Sequence, residues 1–125
     1  MNKKILIVDD DEAILEVLSA ITEMADYTVQ TATSGEGALA IFKNELPDLI
    51  VLDMLLPGIS GKQVCEILKK DLKTKKIPVV MISANLKDED FRREPWAEEF
   101  LEKPLDMDKY LKVIARELAR AEVTA

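Results

Sequence analysis

The chain is 125 residues long, which is the length of one ordinary domain, and 48% of those residues are hydrophobic, as is typical of a globular protein. A net charge of −7 argues against direct nucleic-acid binding, and the lack of histidine excludes histidine-based zinc, general-base and phosphoryl-donor chemistry. Cys65 is the single cysteine and the N-terminal apolar run is too short for a signal peptide or a membrane span, so we expect a cytoplasmic protein without membrane insertion.

Short apolar runs alternate with longer amphipathic stretches, a pattern that predicts β/α repetition and a parallel sheet. The first half of the chain predicts a strand over 4–9, a helix from residue 12 with Asp11 as its N-cap, an edge strand over 27–32 and a helix capped by Thr33 or Ser34. The second half predicts strands over 49–52, from residue 79 and over 99–102, with helices over 62–72, 87–94 and 107–121. Right-handed crossovers then give an α/β fold, a three-layer α/β/α sandwich whose five-stranded parallel sheet has the flavodoxin-like order 2-1-3-4-5.

Four of the predicted strands end at polar residues that suit phosphoryl chemistry. Asp9 and Asp10 stand at the end of the first strand, Asp53 at the end of the third, Ser83 at the end of the fourth and Lys103 at the end of the fifth. Open α/β sheets bind their ligands at the carboxyl ends of the strands, where all these groups would meet. Carboxylates that close together are costly unless a proton or a cation intervenes, and Mg²⁺ prefers oxygen ligands of this kind. The pattern therefore predicts a site for a divalent cation and a transferable phosphoryl group.

Each of these residues also has an ordinary structural alternative. An aspartate at a helix N-terminus is favourable as a cap, and Asp11 is expected to act in this way. Lys103 has the alternative of a solvated surface lysine, and Ser83 that of a turn or capping residue. Their shared position at one edge of the predicted sheet favours a functional site over these alternatives.

The ordered set of motifs resembles the receiver domain of bacterial two-component response regulators. The matching residues are Asp9-Asp10, the segment Asp53-Met-Leu-Leu-Pro-Gly-Ile-Ser-Gly61, Ser83-Ala84 and Lys103-Pro104. The resemblance covers essentially the whole chain and implies a single receiver domain over residues 1–125. It also implies a signalling switch that takes part in its own phosphorylation and dephosphorylation, not a metabolic enzyme.

The resemblance implies that Asp53 is the phosphoacceptor of a Mg²⁺-dependent reaction, in which Mn²⁺ can substitute. Asp10 would be a direct metal ligand beside Asp53, Asp9 would hold a metal-bound water, and the backbone carbonyl of Leu55 would complete the protein's share of the ligands. The expected phosphoryl donor is a phosphohistidine on a sensor histidine kinase or a histidine phosphotransfer protein.

The same resemblance assigns roles after the fourth and fifth strands. Ser83 would hold a phosphoryl oxygen, Lys103 would pair with the phosphoryl group, and the bond from Lys103 to Pro104 is a candidate cis peptide. Ser83 and the aromatic Phe100 would form the switch. The output face would be built from the helix over 87–94, the fifth strand and the last helix. It would act on an output protein or a missing effector domain that the sequence does not identify.

Two features depart from the family pattern. The stretch between Ser83 and Lys103 is shorter than in many relatives, and Pro95-Trp96 stands where a small Ala-Gly-type turn is usual. We therefore expect the helix over 87–94 to be short or irregular. Position 83 is serine in place of the commoner threonine, which keeps the hydroxyl group.

Three other functions compete with this interpretation. A flavodoxin-type electron carrier shares the sheet order, but the acidic segment 9–12 would repel a cofactor phosphate. A haloacid-dehalogenase-type phosphatase needs a second acid two residues beyond its nucleophile, where this chain has Leu55. A protein-interaction domain that is never phosphorylated would not require the full set of site residues.

Overall fold

Five parallel strands form a single sheet in this computed structural model, which describes residues 2–84 and 97–124. The described elements in chain order are β1 (Lys4–Val8), α1 (Glu12–Met24), β2 (Thr28–Ala32), α2 (Gly35–Asn44), β3 (Leu49–Asp53), α3 (Gly61–Lys70), β4 (Val79–Ser83), β5 (Glu99–Glu102) and α4 (Met107–Thr124). The helix predicted over 87–94 and the Pro95-Trp96 dipeptide lie outside the described residues. None of the helices in the described ranges combines the length and apolar character needed to cross a bilayer.

The strand order is β2-β1-β3-β4-β5, as the sequence predicted. All four pairings are parallel, and the register aligns Val8 with Leu52, Asp53 with Ile82, and Ser83 with Glu102. The carboxyl ends of β1, β3, β4 and β5 therefore lie side by side at one edge of the sheet.

Two hydrophobic cores lie on opposite faces of the sheet, because successive side chains of a strand point to opposite sides. Strands β3 and β4 are buried along their whole length and so contribute to both cores. One core joins the sheet to α1 and α4, and the other joins it to α2 and α3. Tyr110 of α4 is fully buried in the first core, where its hydroxyl lies 2.8 Å from the Thr22 hydroxyl of α1. This hydrogen bond satisfies two polar groups inside an apolar layer.

Polar side chains set the helix ends. Asp11 caps α1 by accepting a hydrogen bond from the Ala13 amide at 2.9 Å, and Ser34, one of the two predicted candidates, caps α2. The predicted end of α3 at residue 72 is wrong by two residues. The helix stops at Lys70 because Asp71 turns to extended backbone, and the Thr74 hydroxyl donates to the Leu68 carbonyl at 2.6 Å in place of a further helical turn.

Other boundaries differ from the prediction by one to three residues. β1 ends at Val8 and β2 begins at Thr28, each one residue inside its predicted range, while α4 continues past the predicted residue 121 to Thr124. The difference that bears on the predicted site is at β3, which extends one residue beyond the predicted 49–52 and includes Asp53 as its last residue. The acid is thus held by the sheet and does not belong to the following loop.

A buried carboxyl pair joins β5 to α4. Glu117 of α4 is 1% exposed and forms a hydrogen bond with Glu99 of β5. Burial, together with the hydrogen bond and charge of Glu99, raises the pKa of Glu117 to about 7 against the opposing charges of Arg120 and Arg116. Burial also acts to raise the pKa of Glu99, but hydrogen bonds from Glu117 and Arg116 outweigh it, and the pKa is lowered. Below neutral pH the pair therefore holds one proton, which Glu117 donates to the Glu99 carboxylate.

We expect Glu117→Gln to make the stability of the protein less dependent on pH. The pKa of Glu117 is about 7 in the folded chain and 4.5 ordinarily, so its stabilising proton is fully retained below pH 4.5 and is lost as the pH rises through 7. Glutamine keeps a donor for Glu99 and carries no charge. Urea denaturation at pH 5 and pH 8 should show wild type losing on the order of 2 kcal/mol more than the variant between the two conditions. Equal losses would contradict the shared proton.

Candidate functional site

Three carboxylates meet at the carboxyl edge of the sheet, as the strand ends predicted. Asp9 and Asp10 follow β1, and Asp53 ends β3 on the neighbouring strand. One carboxylate oxygen from each lies within 4.8 Å of those of the other two. Asp9 is 2% exposed and Asp53 6% exposed, whereas Asp10 is open to solvent. Two of the three charges are therefore removed from water, which normally screens such repulsion.

Lys103 brings a positive charge to this cluster. It follows β5, and its backbone amide donates to the Ser83 carbonyl at 2.8 Å, which extends the pairing of β5 with β4 by one residue. Its Nζ atom lies 2.9 Å from Asp53 Oδ2 and 3.3 Å from Asp9 Oδ2. The peptide bond from Lys103 to Pro104 is cis, as predicted. One ammonium group thus bridges the two buried acids.

The pKa values of the site reflect both burial and charge. Burial raises the pKa of Asp9, and the nearby Asp53 charge adds to that effect, whereas the Asp11 amide and Lys103 oppose it. Burial lowers the pKa of Lys103, but its hydrogen bond to Asp53 and the charges of Asp53 and Asp9 outweigh that effect, so the pKa is raised overall. Lys103 therefore remains a cation throughout the physiological range.

Backbone amides orient the two buried carboxylates. The Leu55 amide donates to Asp53 Oδ1 at 3.0 Å, and the Asp11 amide donates to Asp9 Oδ1 at 2.9 Å. Since Lys103 holds the Oδ2 atom of each acid, both oxygens of each carboxylate have a partner. The Asp53 side chain is consequently fixed in direction before any ligand arrives.

Gly61 allows the chain to pass close to the acceptor strand. It is the first residue of α3, and its amide donates to the Met54 carbonyl at 3.0 Å. A Cβ atom on Gly61 would lie 2.1 Å from the Asp53 carbonyl oxygen, which no side chain can do without moving the backbone. In the sequence Gly61 ends the motif that begins at Asp53, and the structure shows that it allows α3 to pack beside Asp53.

The predicted switch and ligand residues take positions compatible with their roles, which stay predictions. Ser83 is buried at the end of β4, next to the strand that carries Asp53. Phe100 is half-buried on β5 and packs against the core beneath α2 and α3. The side chain of Leu55 is 71% exposed, while its backbone lies beside Asp53.

One contact to the loop after Asp53 was not predicted. Glu36, in the first turn of α2, accepts a hydrogen bond from the Ile59 amide at 2.9 Å. A lone glutamate near a helix start is too common to be singled out in a sequence. The glycine at position 58 is the one local signal, because a glycine two residues before a helix cap can mark a backbone turn that other residues avoid.

The arrangement suits a divalent cation. With all groups ionised, three carboxylates and one ammonium leave two negative charges uncompensated. The donors are all hard oxygen atoms, of which Mg²⁺ commonly uses one or two from carboxylates while it retains waters. The exposed position of Asp10 provides an open side for those waters.

Comparison with known proteins identifies the class of protein to which this fold and this acidic site belong. The family model of the response regulator receiver domain matches residues 5–115, and the chain belongs to this family, whose members act in two-component phosphorelay signalling. The transcriptional regulatory protein PhoP of Bacillus subtilis, named for alkaline phosphatase synthesis, is 40% identical over 131 residues, which cover 100% of this chain and 52% of PhoP. The chain thus spans about half the length of that relative.

Solved structures of related proteins have the same fold as the chain, and two of them also resemble it in sequence. A CheY-like receiver domain protein from Methanospirillum hungatei is 29% identical with a TM-score of 0.90, and the match covers 100% of each chain. The response regulator TrrA from Thermotoga maritima, solved in complex with Mg²⁺ and BeF, is 30% identical with a TM-score of 0.84 over 92% of this chain and 98% of TrrA.

We expect Gly61→Ala to destabilise the protein by about 1–3 kcal/mol, the usual cost of forcing a methyl group into a packed position. The matched control is Gly37→Ala in α2, where a Cβ atom would lie 3.1 Å from the Ser34 hydroxyl and 3.7 Å from Ala32. Because alanine favours helices, the control should change stability by less than about 1 kcal/mol. Urea denaturation of both variants measures the difference, and similar stabilities would show that α3 can shift away from Asp53 at little cost.

Proposed function

We propose that the chain accepts a phosphoryl group on Asp53, in a Mg²⁺-dependent reaction, from a phosphohistidine on a sensor histidine kinase or a histidine phosphotransfer protein. The observation that carries the proposal is the bridging contact of Lys103 with Asp53 and Asp9 inside the acid cluster. A buried carboxylate with a fixed direction, a cation beside it and an open acidic side are what phosphoryl transfer requires of a protein.

The acids at the sheet edge would hold the metal. Asp10 and Asp53 would be direct ligands with the backbone carbonyl of Leu55, and Asp9 would hold a metal-bound water. The bound cation, Mg²⁺ or Mn²⁺, would supply neutralising charge to the phosphoryl oxygens. The similarity to TrrA, which was solved with Mg²⁺ and BeF, supports this assignment.

The chain's own residues account for the transfer. An oxygen of the Asp53 carboxylate bonds to phosphorus as the bond from phosphorus to the histidine nitrogen breaks, and the leaving imidazole keeps the electron pair. Lys103 pairs with the charge on the phosphoryl oxygens and Ser83 donates to one of them. Later a water oxygen bonds to the phosphorus, the Asp53 carboxylate leaves, and inorganic phosphate is released. The chain is in this sense a switch that participates in its own chemistry and not a metabolic enzyme.

The proposed output face includes β5 and α4, together with the chain that precedes β5. A phosphoryl group on Asp53 would draw Ser83, at the end of β4, and Lys103, just after β5, toward its oxygens. Phe100 would then move within the adjacent core. A local charge would thus alter the shape of a face that a partner or an attached effector can recognise. Both shapes must exist before phosphorylation, separated by a modest free energy.

We also propose the wider setting of the reaction. Residues 1–125 would form one receiver domain in the cytoplasm, a setting that the unpaired and buried Cys65 favours. The net charge of −7 favours protein partners over direct contact with nucleic acid.

We expect Asp53→Asn to abolish phosphorylation by acetyl phosphate or phosphoramidate, because an amide has no nucleophilic carboxylate oxygen. Intact mass spectrometry should show wild type gaining one phosphoryl group when Mg²⁺ or Mn²⁺ is present and none in excess EDTA. The matched control is Asp48→Asn, whose side chain accepts a hydrogen bond from the Lys4 amide at 2.7 Å and which should be labelled normally. Labelling of Asp53→Asn at the same site, or of wild type in EDTA, would refute the proposal.

We expect Ser83→Ala to uncouple Asp53 from the output face. In wild type, beryllofluoride with Mg²⁺ should slow amide hydrogen exchange in β5 several-fold, because Ser83 and Lys103 are drawn to the phosphoryl mimic. Ser83→Ala should lose most of that slowing while Asp53 remains a phosphoacceptor, and Ser83→Thr should restore it. If beryllofluoride slows exchange in Ser83→Ala as much as in wild type, Ser83 is not the coupling group.

A further inference from the structure

The segment 54–60, here termed the acceptor loop, connects Asp53 to α3 and carries Leu55. Its near end is fixed beside the acceptor, since the Leu55 amide donates to Asp53 Oδ1 and the Gly61 amide donates to the Met54 carbonyl. A loop of this length needs a second anchor if one of its carbonyl groups is to stay in place.

The second anchor is the N-terminus of α2. The Ile59 amide donates to Glu36 Oε1 at 2.9 Å. Gly58 has a φ of +74°, a conformation that favours glycine, and a Cβ atom there would lie 2.6 Å and 2.8 Å from the two Glu36 carboxylate oxygens. On the helix side, a Cβ atom on Gly35 would lie 2.6 Å from Ile59 Cγ1. The backbone conformation at position 58 thus favours glycine, and Gly35 leaves room for the Ile59 side chain to pack on the start of α2.

We propose that Glu36 is a positioning residue, which holds the acceptor loop on α2 so that the Leu55 carbonyl is presented to the acid cluster around Asp53. This inference rests on the proposed function for the ligand role of Leu55. Within the described part of the chain, Glu36 contacts the acceptor loop and not Asp53. Any effect of Glu36 on the site therefore passes through the loop.

The chemistry of the contact suits this role. A carboxylate in the first turn of a helix is stabilised by the helix dipole, and a hydrogen bond from an amide to a charged acceptor is stronger than a neutral one. Glu36 is nevertheless exposed, so its removal should cost the fold little. The loss should appear in the position of the loop and hence in the affinity for the cation.

The test compares Glu36→Ala with Glu36→Gln, which keeps an oxygen acceptor, and with Glu16→Ala, an exposed helical glutamate on α1. The first readout is hydrogen exchange of the acceptor-loop amides in metal-free protein. Exchange at Ile59 and Leu55 should quicken several-fold in Glu36→Ala, remain near wild type in Glu36→Gln and be unchanged in Glu16→Ala. Unaltered exchange in Glu36→Ala would overturn the anchor.

The second readout is Mg²⁺ affinity by calorimetric titration. Glu36→Ala should weaken binding about threefold to tenfold, less than the loss typical of buried outer-shell partners, and Glu36→Gln should restore it. Faster loop exchange with unchanged Mg²⁺ affinity would overturn the positioning role. If wild type itself binds no Mg²⁺, the proposed function fails together with the ligand role of Leu55, and the exchange readout still decides whether Glu36 anchors the loop.

Discussion

Crowding of negative charge at one edge of the sheet is the constraint on which the rest of the site depends. The strand order makes β1 and β3 neighbours, so the acids that follow them must meet. Burial of Asp9 and Asp53 removes the water that would otherwise screen their repulsion. A single ammonium group, Lys103, contacts both. The Lys103 side chain extends from the end of β5 across the end of β4 to reach these acids. Its two ion pairs therefore connect the ends of β1, β3 and β5. The remaining negative charge gives the edge its affinity for a divalent cation.

The same edge combines this charge with rigidity. Strand β3 is buried on both faces, so the backbone that carries Asp53 is held by two cores at once. Lys103 and the Leu55 amide then fix the two oxygens of the carboxylate. A nucleophile directed in this way loses little freedom when a donor arrives, and this reduces the entropic part of a transfer barrier. Gly61 contributes by its lack of a side chain, because α3 can begin directly beside the acceptor strand.

The sequence predicts the sheet order and the members of the site because both depend on local patterns. Buried strands show as short apolar runs, and the residues after those runs must share one edge of a parallel sheet. Contacts between distant segments leave no such pattern. The hydrogen bond from Ile59 to Glu36 joins residues 23 positions apart, and the pairing of Glu99 with Glu117 links a strand to a helix through side chains alone. In the sequence, Glu36, Glu99 and Glu117 each have the appearance of an ordinary surface glutamate. Their roles follow from packing, which composition and periodicity do not record.

Unequal burial of the strands indicates where a signal can leave the site. β3 and β4 are buried throughout, whereas β5 has four residues, of which only Leu101 is buried. An element with few apolar contacts shifts at lower cost than one held by two cores. β5 is also bounded by charge at both ends, with Lys103 in the acid cluster and Glu99 paired to α4 through Glu117 and Arg116. In the proposed mechanism a pull on Lys103 therefore acts on the most weakly held of the strands around the site. A movement of Lys103 would pass along the four residues of β5 to Glu99, whose hydrogen bond with Glu117 joins the strand to α4.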